Sequence, residues 1–266
     1  MTSLRLFDTH AHLDHEHFPG MLPDVLDRAR LAGVVGICAV GCTPESSQHA
    51  LRLAQADPRF IVAAAGIQPN YVSQAEPQWM PLIEQLASSP AVVAIGETGL
   101  DCYWKDSPLA LQREYFEQHI ELSLRCDKPL IIHMRDSGPE ILETLRKYAP
   151  VADLRGIMHS FTGDWGFASQ FLDLGLHLSF AGMLTFTKNS AELQRVAARV
   201  PEDRLLIETD SPYLSPEPLR GKRPNEPARI VHTAAKLAEI RGVPPEKLAE
   251  TTAANAMKLF RWSAGL

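Results

Sequence analysis

The stretch Phe7-Asp8-Thr9-His10-Ala11-His12 places two histidines two residues apart, directly after a short apolar run. The run at 4–9 predicts a β-strand, and alternate side chains of a strand share a face. His10 and His12 can therefore point the same way from the C-terminal end of this strand. Two imidazoles presented together suit a divalent metal ion, and a histidine-rich surface loop is the alternative for this stretch alone. The other ligands must come from distant parts of the chain, which the fold has to bring to this strand end.

Further apolar runs along the chain also end in polar or glycine-rich sequence. Most are apolar on both faces, which is typical of buried parallel strands. The predicted strands are 4–9, 34–40, 60–65, 92–96, 129–133, 155–159, 176–180 and 205–209. Helical spacing of apolar residues predicts helices in the gaps between them and after the last strand. These helices are 22–31, 46–56, 109–126, 141–148, 166–174, 191–200, 228–241 and 246–260.

Alternation of strands and helices predicts a fold of the α/β class, a (β/α)8 TIM-like barrel, with a doubly wound open sheet as the structural alternative. The 266 residues suit one such barrel, and no repeat or linker divides them, so we expect a single domain over 1–266. The longest polar loops, 66–78, 97–108 and 210–227, follow predicted strands. Active sites form on that face of a barrel.

The composition is that of an ordinary globular protein, with 45% hydrophobic and 22% charged residues. The net charge of −6 argues against a protein that coats duplex DNA, although a pocket for one phosphate remains possible. The sequence shows no secretory signal or apolar run of membrane-spanning length, and its cysteines lack zinc-finger spacing. We therefore expect a cytoplasmic protein with reduced thiols.

Side chains able to bind metal ions follow four other predicted strands. In a closed barrel the strand ends form one ring, so these side chains can converge on His10 and His12. Any one of them alone would more often be structural, but equivalent positions on several strands are not easily explained by chance. Four histidines and two carboxylates suit two ions, and nitrogen-rich ligation favours zinc, manganese or a similar ion over calcium. The strand-end residues are Glu97, His133, His159 and Asp210.

These motifs carry a resemblance to a known family. The matching stretches are Phe7 to His12, Gly96-Glu97-Thr98-Gly99-Leu100-Asp101, Ile132-His133-Met134-Arg135, His159-Ser160-Phe161-Thr162-Gly163, and Glu208-Thr209-Asp210-Ser211-Pro212-Tyr213-Leu214 with Arg220-Gly221-Lys222 and Asn225-Glu226-Pro227. Nearly from end to end, the chain resembles the TatD family of metal-dependent deoxyribonucleases, in the amidohydrolase superfamily.

The resemblance implies a TIM-like barrel with two divalent metal ions, either Zn²⁺, Mn²⁺ or Mg²⁺. It implies that the first ion is held by His10, His12, Glu97 and Asp210, and that Glu97 bridges to a second ion held by His133 and His159. It also implies hydrolysis of DNA, expected at single-stranded or 3′ ends as a 3′–5′ exonuclease.

One stretch departs from the family pattern. The family commonly has Gly-x-His-Pro after the third strand, where this chain has Gly66-Ile67-Gln68-Pro69. Glutamine is a poor metal ligand and cannot act as a general acid near neutral pH. We expect the metal site to be unaffected, and substrate preference or protonation of the leaving group to differ.

Further roles can be assigned to polar and aromatic side chains near these strand ends. Asp210 is the expected proton acceptor for the attacking water, and Arg135 the expected phosphate clamp. Asp8 could orient a metal ligand. The basic residues Arg220, Lys222 and Arg223 either guide a nucleic-acid strand or form a solvated loop. Core packing or loop anchoring is expected, and stacking on a base is the alternative, for the aromatic residues Tyr71, Tyr103, Trp104 and Phe161. Structural or exposed positions are expected for His15, His17, His49, His119, His177 and His232.

Two other functions remain open at this point. The same metal centre could hydrolyse a small ester, lactone or amide, and the ligands alone do not separate these substrates from DNA. A noncatalytic metal-binding barrel is disfavoured, because the ligand set and Asp210 are complete.

Overall fold

A computed structural model describes residues 4–13, 16, 18–149 and 153–263. All its strands form one sheet in sequence order, and each neighbouring pair is parallel. This order confirms the predicted (β/α)8 barrel, because a doubly wound sheet would reverse its strand order at a switch point. The strands are β1 (Leu6–Ala11), β2 (Val34–Val40), β3 (Ile61–Ala65), β4 (Val92–Asp101), β5 (Leu130–Arg135), β6 (Gly156–Met158), β7 (His177–Phe180) and β8 (Leu205–Ile207).

The helices follow the strands in turn and cover the outside of the barrel. They are α1 (Leu22–Leu31), α2 (Pro44–Ala56), α3 (Trp79–Ala87), α4 (Leu109–Cys126), α5 (Gly138–Tyr148), α6 (Trp165–Asp173), α7 (Ala191–Arg199), α8 (Ile230–Arg241) and α9 (Pro245–Phe260). Among the described residues, no helix is both long enough and apolar enough to span a membrane.

Helix α3 is the element that the sequence does not predict. Its first turn contains Pro81, and its N-cap residue, Gln78, makes no side-chain cap hydrogen bond. The usual signals for the start of a helix are therefore missing. Burial of Ile83, Leu86 and Ala87 against the sheet supplies the stabilisation that the local sequence lacks.

Three strands, β1, β4 and β5, end later than predicted, and three of the candidate ligands lie within strands. His10 is inside β1, Glu97 is inside β4 rather than after it, and His133 is inside β5. The pairing of β4 with β5 is irregular between Ile95 and Thr98. Gly96 has a φ of 142° there, and a Cβ at this position would lie 2.5 Å from the Ile131 carbonyl oxygen. A glycine that signals the end of a strand in sequence here permits a close approach of two strands instead.

Helix α9 covers the N-terminal end of the barrel. Its residues Ala256 and Phe260 share a buried cluster with Phe7, from the start of β1. Trp262, just after α9, packs its ring on Phe7 and donates a hydrogen bond from Nε1 to the Pro58 carbonyl oxygen at 3.2 Å. The helix beyond the eight repeating units therefore closes the end of the barrel opposite the predicted site.

The seam between β1 and β8 is closed largely by side chains. The sheet order leaves these two strands at its edges, with an isolated bridge between Ala11 and Ser211. The Asp8 carboxylate fills the gap, because it accepts hydrogen bonds from the backbone N–H of Thr209 at 2.9 Å and from its hydroxyl at 2.5 Å. The backbone N–H of Asp210 donates to the His10 carbonyl oxygen at 2.9 Å. The closed barrel thus places His10 beside Asp210.

A buried histidine of α4 fixes the loop after β3. His119 Nε2 accepts a hydrogen bond from the backbone N–H of Ile67 at 3.0 Å, and Nδ1 donates to the Tyr115 carbonyl oxygen at 2.6 Å. Burial lowers the pKa of His119 from 6.5 to about 4. The imidazole is therefore neutral in the folded protein at neutral pH, as the acceptor role at Nε2 requires.

We predict that His119 makes the fold sensitive to acid. Between pH 6.5 and 4 the unfolded chain binds a proton at this histidine and the folded protein does not, so stability falls as the pH falls. Between pH 7 and pH 5 the loss should be about 2 kcal/mol in the free energy of unfolding. Urea unfolding of the wild type and of His119→Gln at both pH values measures it, since glutamine keeps an acceptor but does not titrate.

The control for this measurement is the interval from pH 8 to pH 9, where His119 is neutral in the folded and in the unfolded chain. Over this interval the stability of the wild type and that of His119→Gln should change equally. An equal loss of stability on acidification in His119→Gln and in the wild type would contradict the assignment.

Candidate metal centre

Glu97 lies at the centre of the predicted ligands, and its two oxygens face different pairs of histidines. Oε2 lies 3.5 Å from His10 Nε2 and 3.6 Å from His12 Nε2. Oε1 lies 2.9 Å from His133 Nδ1 and 3.2 Å from His159 Nε2. A carboxylate with one oxygen toward each pair has the geometry of a bridge between two neighbouring positions.

The position at Oε2 is completed by Asp210. Asp210 Oδ1 lies 3.9 Å from His10 Nε2 and 3.8 Å from His12 Nε2, and the two imidazole nitrogens are 3.1 Å apart. Asp210 follows β8 with a φ of 54°, a conformation that is uncommon for a residue other than glycine and recurs at functional sites. His10, His12 and Asp210 form one group in which a single ion could be held.

The position at Oε1 has its own group, formed by Glu97, His133 and His159. His133 Nδ1 and His159 Nε2 are 3.3 Å apart. The chain therefore brings together all six predicted ligands at the C-terminal ends of strands, in two groups that share Glu97.

Three of the histidines have their second ring nitrogen fixed by an acceptor. His12 Nδ1 lies 3.2 Å from the Val40 carbonyl oxygen, His133 Nε2 lies 2.9 Å from Asp101 Oδ2, and His159 Nδ1 lies 3.3 Å from Glu208 Oε1. Carbonyl and carboxylate oxygens only accept, so these nitrogens donate, and the opposite nitrogen of each ring is left to face Glu97. Metal-bound histidines in proteins are oriented in this way.

The spacing of the donor atoms fits divalent metal ions. Ligand atoms about 2.0–2.2 Å from a shared tetrahedral zinc ion are about 3.3–3.6 Å apart. The separations among the nitrogen and carboxylate atoms of the first group range from 3.1 to 3.9 Å. His10 Nδ1, on the far side of the imidazole ring, is buried and has no hydrogen-bond partner among the described residues. The donor set of imidazoles and carboxylates suits zinc or manganese.

Burial and mutual charge shift the pKa values of the site residues in opposite directions. Burial alone would raise the pKa of Glu97, but His159, His10 and His133 lower it well below its usual value. Burial alone would lower the pKa of His159, but Glu97 and Glu208 raise it well above 6.5. Burial lowers the pKa of His10 to about 4. Without metal, His159 therefore carries a proton beside an ionised Glu97, and metal ions would have to displace that proton.

Asp101 and Glu208 are two site residues to which the sequence assigns no role of their own. Asp101 accepts from His133 and also from the backbone N–H groups of Tyr103 and Trp104, each at 2.9 Å. Glu208 is fully buried, and its Oε1 accepts from the Ser160 backbone N–H at 2.7 Å as well as from His159. Both carboxylates stand within the quoted motifs, which is the signal that could have identified them.

Asp8 and Gln68 support the site through backbone groups. Asp8 Oδ1 accepts from the backbone N–H of His10 at 3.3 Å, so it positions the backbone of a candidate ligand rather than an imidazole. Gln68 Oε1 accepts from the Asn70 backbone N–H at 2.9 Å and caps the short 3-10 helix Pro69–Gln74. This cap occupies the side-chain carbonyl of Gln68, which is then a structural acceptor.

The predicted basic residues lie at the surface. Arg135, at the end of β5, is exposed and stacks its guanidinium on the Tyr103 ring at 4.4 Å from the ring centre. Arg220 stacks on Phe186 at 4.1 Å, and Lys222 and Arg223 are exposed. Within the described part of the chain, none of these four cations forms an ion pair with a carboxylate.

The remaining residues singled out from the sequence divide between core and surface. Phe161 is buried in the core, whereas Tyr71, Tyr103 and Trp104 are 39%, 51% and 52% exposed and so do not pack in the core. Loop anchoring remains the expectation for these three side chains, which lie in the loops after β3 and β4. His119 and His177 are buried, His49 and His232 are partly buried, and His15 and His17 lie outside the described residues.

Comparison with known proteins gives consistent matches over nearly the whole chain. A family model described as TatD related DNase matches residues 7–261. An uncharacterized metal-dependent hydrolase of Bacillus subtilis (strain 168) is 39% identical over 256 residues, which cover 96% of this chain and 99% of the relative. A protein of Rahnella sp. (strain Y9602) named 3′-5′ ssDNA/RNA exonuclease TatD is 35% identical, over 97% of this chain and 99% of the relative.

A solved structure shares the fold. The crystal structure of a TatD homologue from Escherichia coli K12 superposes with a TM-score of 0.88 at 28% identity, covering 97% of this chain and 98% of that chain. The barrel and its family signature are therefore found together in a protein whose structure has been determined by experiment.

We predict that Glu97→Gln disrupts metal binding at both positions. Glutamine keeps the size of the side chain but removes its charge and leaves one coordinating oxygen. Affinity for each ion should fall about 100-fold or more, which is at or beyond the upper end of effects seen for residues that only support ligands. Elemental analysis after dialysis against buffered Zn²⁺ or Mn²⁺ measures the metal content.

The control variant for this measurement is Glu143→Gln, which removes an exposed carboxylate that pairs with Arg113 on the outside of the barrel. It should bind metal as the wild type does. Two retained ions per chain in Glu97→Gln, at wild-type affinity, would end the bridging assignment.

Proposed function

The chain belongs to the TatD family of metal-dependent hydrolases, and we propose that its substrate is nucleic acid, cleaved as a 3′–5′ exonuclease on single-stranded ends. The name of the Rahnella relative supports this substrate class. The description of the matching family model, TatD related DNase, also names a nuclease. The proposal joins these names to a site geometry suited to phosphodiester hydrolysis.

The observation that carries the proposal is the division of Glu97 between two histidine pairs, Oε2 toward His10 and His12 and Oε1 toward His133 and His159. Two positions that share one carboxylate suit a pair of divalent metal ions. When bound, such ions polarise phosphate oxygens and lower the pKa of water. We assign the first ion to His10, His12, Glu97 and Asp210, and the second to Glu97, His133 and His159.

Asp210 is the proton acceptor in this proposal. Asp210 Oδ1 lies 3.9 Å from His10 Nε2 and 3.8 Å from His12 Nε2, beside the first metal position. A carboxylate of Asp210 placed there can accept the proton of an attacking water. Its side chain is 13% exposed, so Oδ1 faces both the histidines and the open end of the barrel. Asp210 can then return the proton to the leaving oxygen, a step that Gln68 cannot perform.

Exposed cations are available for the phosphates of the substrate. Arg135 lies two residues beyond His133, and its guanidinium rests on Tyr103 without an acidic partner among the described residues. A guanidinium can donate two parallel hydrogen bonds to a phosphate. Arg220, Lys222 and Arg223 lie in the segment after β8 and supply positive charge on the same face as Asp210. These cations favour a polyanion over a neutral ester.

Cleavage of end-labelled oligonucleotides tests the function. Single-stranded DNA and RNA with a 3′ or a 5′ label are incubated with protein loaded with Zn²⁺, Mn²⁺ or Mg²⁺, alongside a panel of small esters and lactones. Stepwise shortening from the 3′ end is the expected result. Turnover of an ester or lactone with all oligonucleotides left intact would replace the proposal with a small-molecule hydrolase.

We predict that Asp210→Asn lowers kcat for oligonucleotide cleavage by at least about 100-fold, the low end of general-base effects. Asparagine keeps the size and one coordinating oxygen but is not basic. The second position, formed by Glu97, His133 and His159, should keep its ion. Steady-state cleavage is measured beside metal content in the same samples, and full metal occupancy with near-normal turnover would show that Asp210 is only a ligand.

We predict that Arg135→Ala acts mainly on KM. If the guanidinium binds phosphate in the ground state and in the transition state alike, its loss raises KM by about 10-fold with little change in kcat. Arg113→Ala, on the outside of α4, removes a surface arginine that pairs with Glu143 and serves as the control. A fall in kcat at unchanged KM for Arg135→Ala would instead place this residue at the reacting phosphate.

A further inference from the structure

A cleft of about 580 Å³ lies beside the metal centre, between the start of α2, the 3-10 helix Pro69–Gln74 and α3. This volume falls in the range of about 300–1,000 Å³ that is typical of sites for small molecules. Trp79 at the start of α3 lines it together with Tyr71 and Leu82, which are 39% and 40% exposed.

The walls of the cleft begin next to the candidate ligands. Asn70, the residue before Tyr71, donates from Nδ2 to Asp101 Oδ2 at 3.4 Å, and that oxygen accepts from His133. On the other side, Thr43 lines the cleft, and its neighbour Cys42 has Sγ 3.7 Å from Glu97 Oε2. Two walls of the cleft are therefore one residue away in sequence from side chains that contact the candidate site.

The lining of the cleft suits a neutral planar group. Among the described residues, its lining contains one carboxylate, from Glu45, and no lysine or arginine, so it disfavours a phosphate. The indole of Trp79 is part of the lining, and stacking on an aromatic ring gains affinity from any base. The side-chain amides of Gln74 and Gln85 each provide donors and an acceptor, as recognition of the edge of a base requires.

We propose that this cleft is a subsite for one nucleobase of the substrate strand, with Trp79 as its stacking platform. This proposal rests on the proposed nuclease function and adds to it a site that binds one base of the strand. In this arrangement the phosphates lie over the metal centre and near its exposed cations. The neutral base lies in the cleft, whose described lining contains no cation.

The test combines removal of one base from the substrate with removal of the aromatic ring of Trp79 from the protein. Single-stranded oligonucleotides with one abasic position, placed in turn at each of the last four nucleotides, are cleaved by the wild type and by Trp79→Leu. Leucine keeps apolar packing against the core but offers no aromatic face. Trp79→Phe keeps an aromatic face, and Trp165→Leu changes a tryptophan at the start of α6, outside the cleft.

The expected result is a rise in KM of about 10-fold or more for the wild type at one abasic position, the size of a lost stacking contact. Trp79→Leu should raise KM for the intact strand by a similar factor and show no further rise at that position, since the two losses remove the same contact. Trp79→Phe and Trp165→Leu should keep the abasic effect. A full abasic effect and a normal KM in Trp79→Leu would overturn the proposal.

Binding of deoxyadenosine, a nucleoside without phosphate, separates this proposal from the proposed function. Titration calorimetry with the wild type and Trp79→Leu requires no cleavage. Binding that is lost in Trp79→Leu supports the subsite even if no oligonucleotide is hydrolysed. Absence of binding together with absence of oligonucleotide cleavage would overturn the subsite. An effect of Trp79→Leu on KM for small esters alone would assign the cleft to an apolar small molecule and reject the nucleobase.

Discussion

The hydrogen bonds between Asp8 and Thr209 join the first and last strands of the barrel, and the candidate site depends on this junction. Strand edges expose unpaired backbone groups, which are costly when buried. Here the Asp8 carboxylate accepts a hydrogen bond from the Thr209 N–H, and the His10 carbonyl oxygen accepts one from the Asp210 N–H. The first proposed ion would need ligands from both sides of this seam, His10 and His12 from β1 and Asp210 after β8. The contacts that close the barrel between β1 and β8 therefore also bring together the ligands proposed for the first ion.

Much of the architecture could be predicted from the sequence because its signal is periodic. Buried parallel strands are apolar on both faces, and polar residues follow them where the barrel opens. The order of strands and the convergence of the six candidate ligands follow from this pattern. Helix α3 could not be predicted, since Pro81 and an uncapped start hide it and burial of Ile83 stabilises it. The position of Glu97 inside β4 depends on the irregular pairing at Gly96, which has no signature except the glycine.

The supporting contacts of the site could be recognised only in three dimensions. Asp101 reaches His133, and Glu208 reaches His159, across 32 and 49 residues of sequence. The chain contains 32 acidic residues, so sequence alone does not indicate which of them orient an imidazole. The role of Gln68 also requires the fold, because its carbonyl caps Pro69–Gln74. The same 3-10 helix carries Tyr71 toward the cleft, so one short element links the departure from the family pattern to the proposed base subsite.

The packing of α9 on Phe7 has a consequence for synthesis of the protein. Phe7, in β1, leaves the ribosome long before Phe260 and Trp262, on which its ring packs. Until these residues have emerged, Phe7 lacks this cover at the open end of the nascent barrel, and exposed apolar surface promotes aggregation and recruits chaperones. Burial of this end is thus completed after translation of α9, and truncation within that helix would leave Phe7 without its aromatic partners.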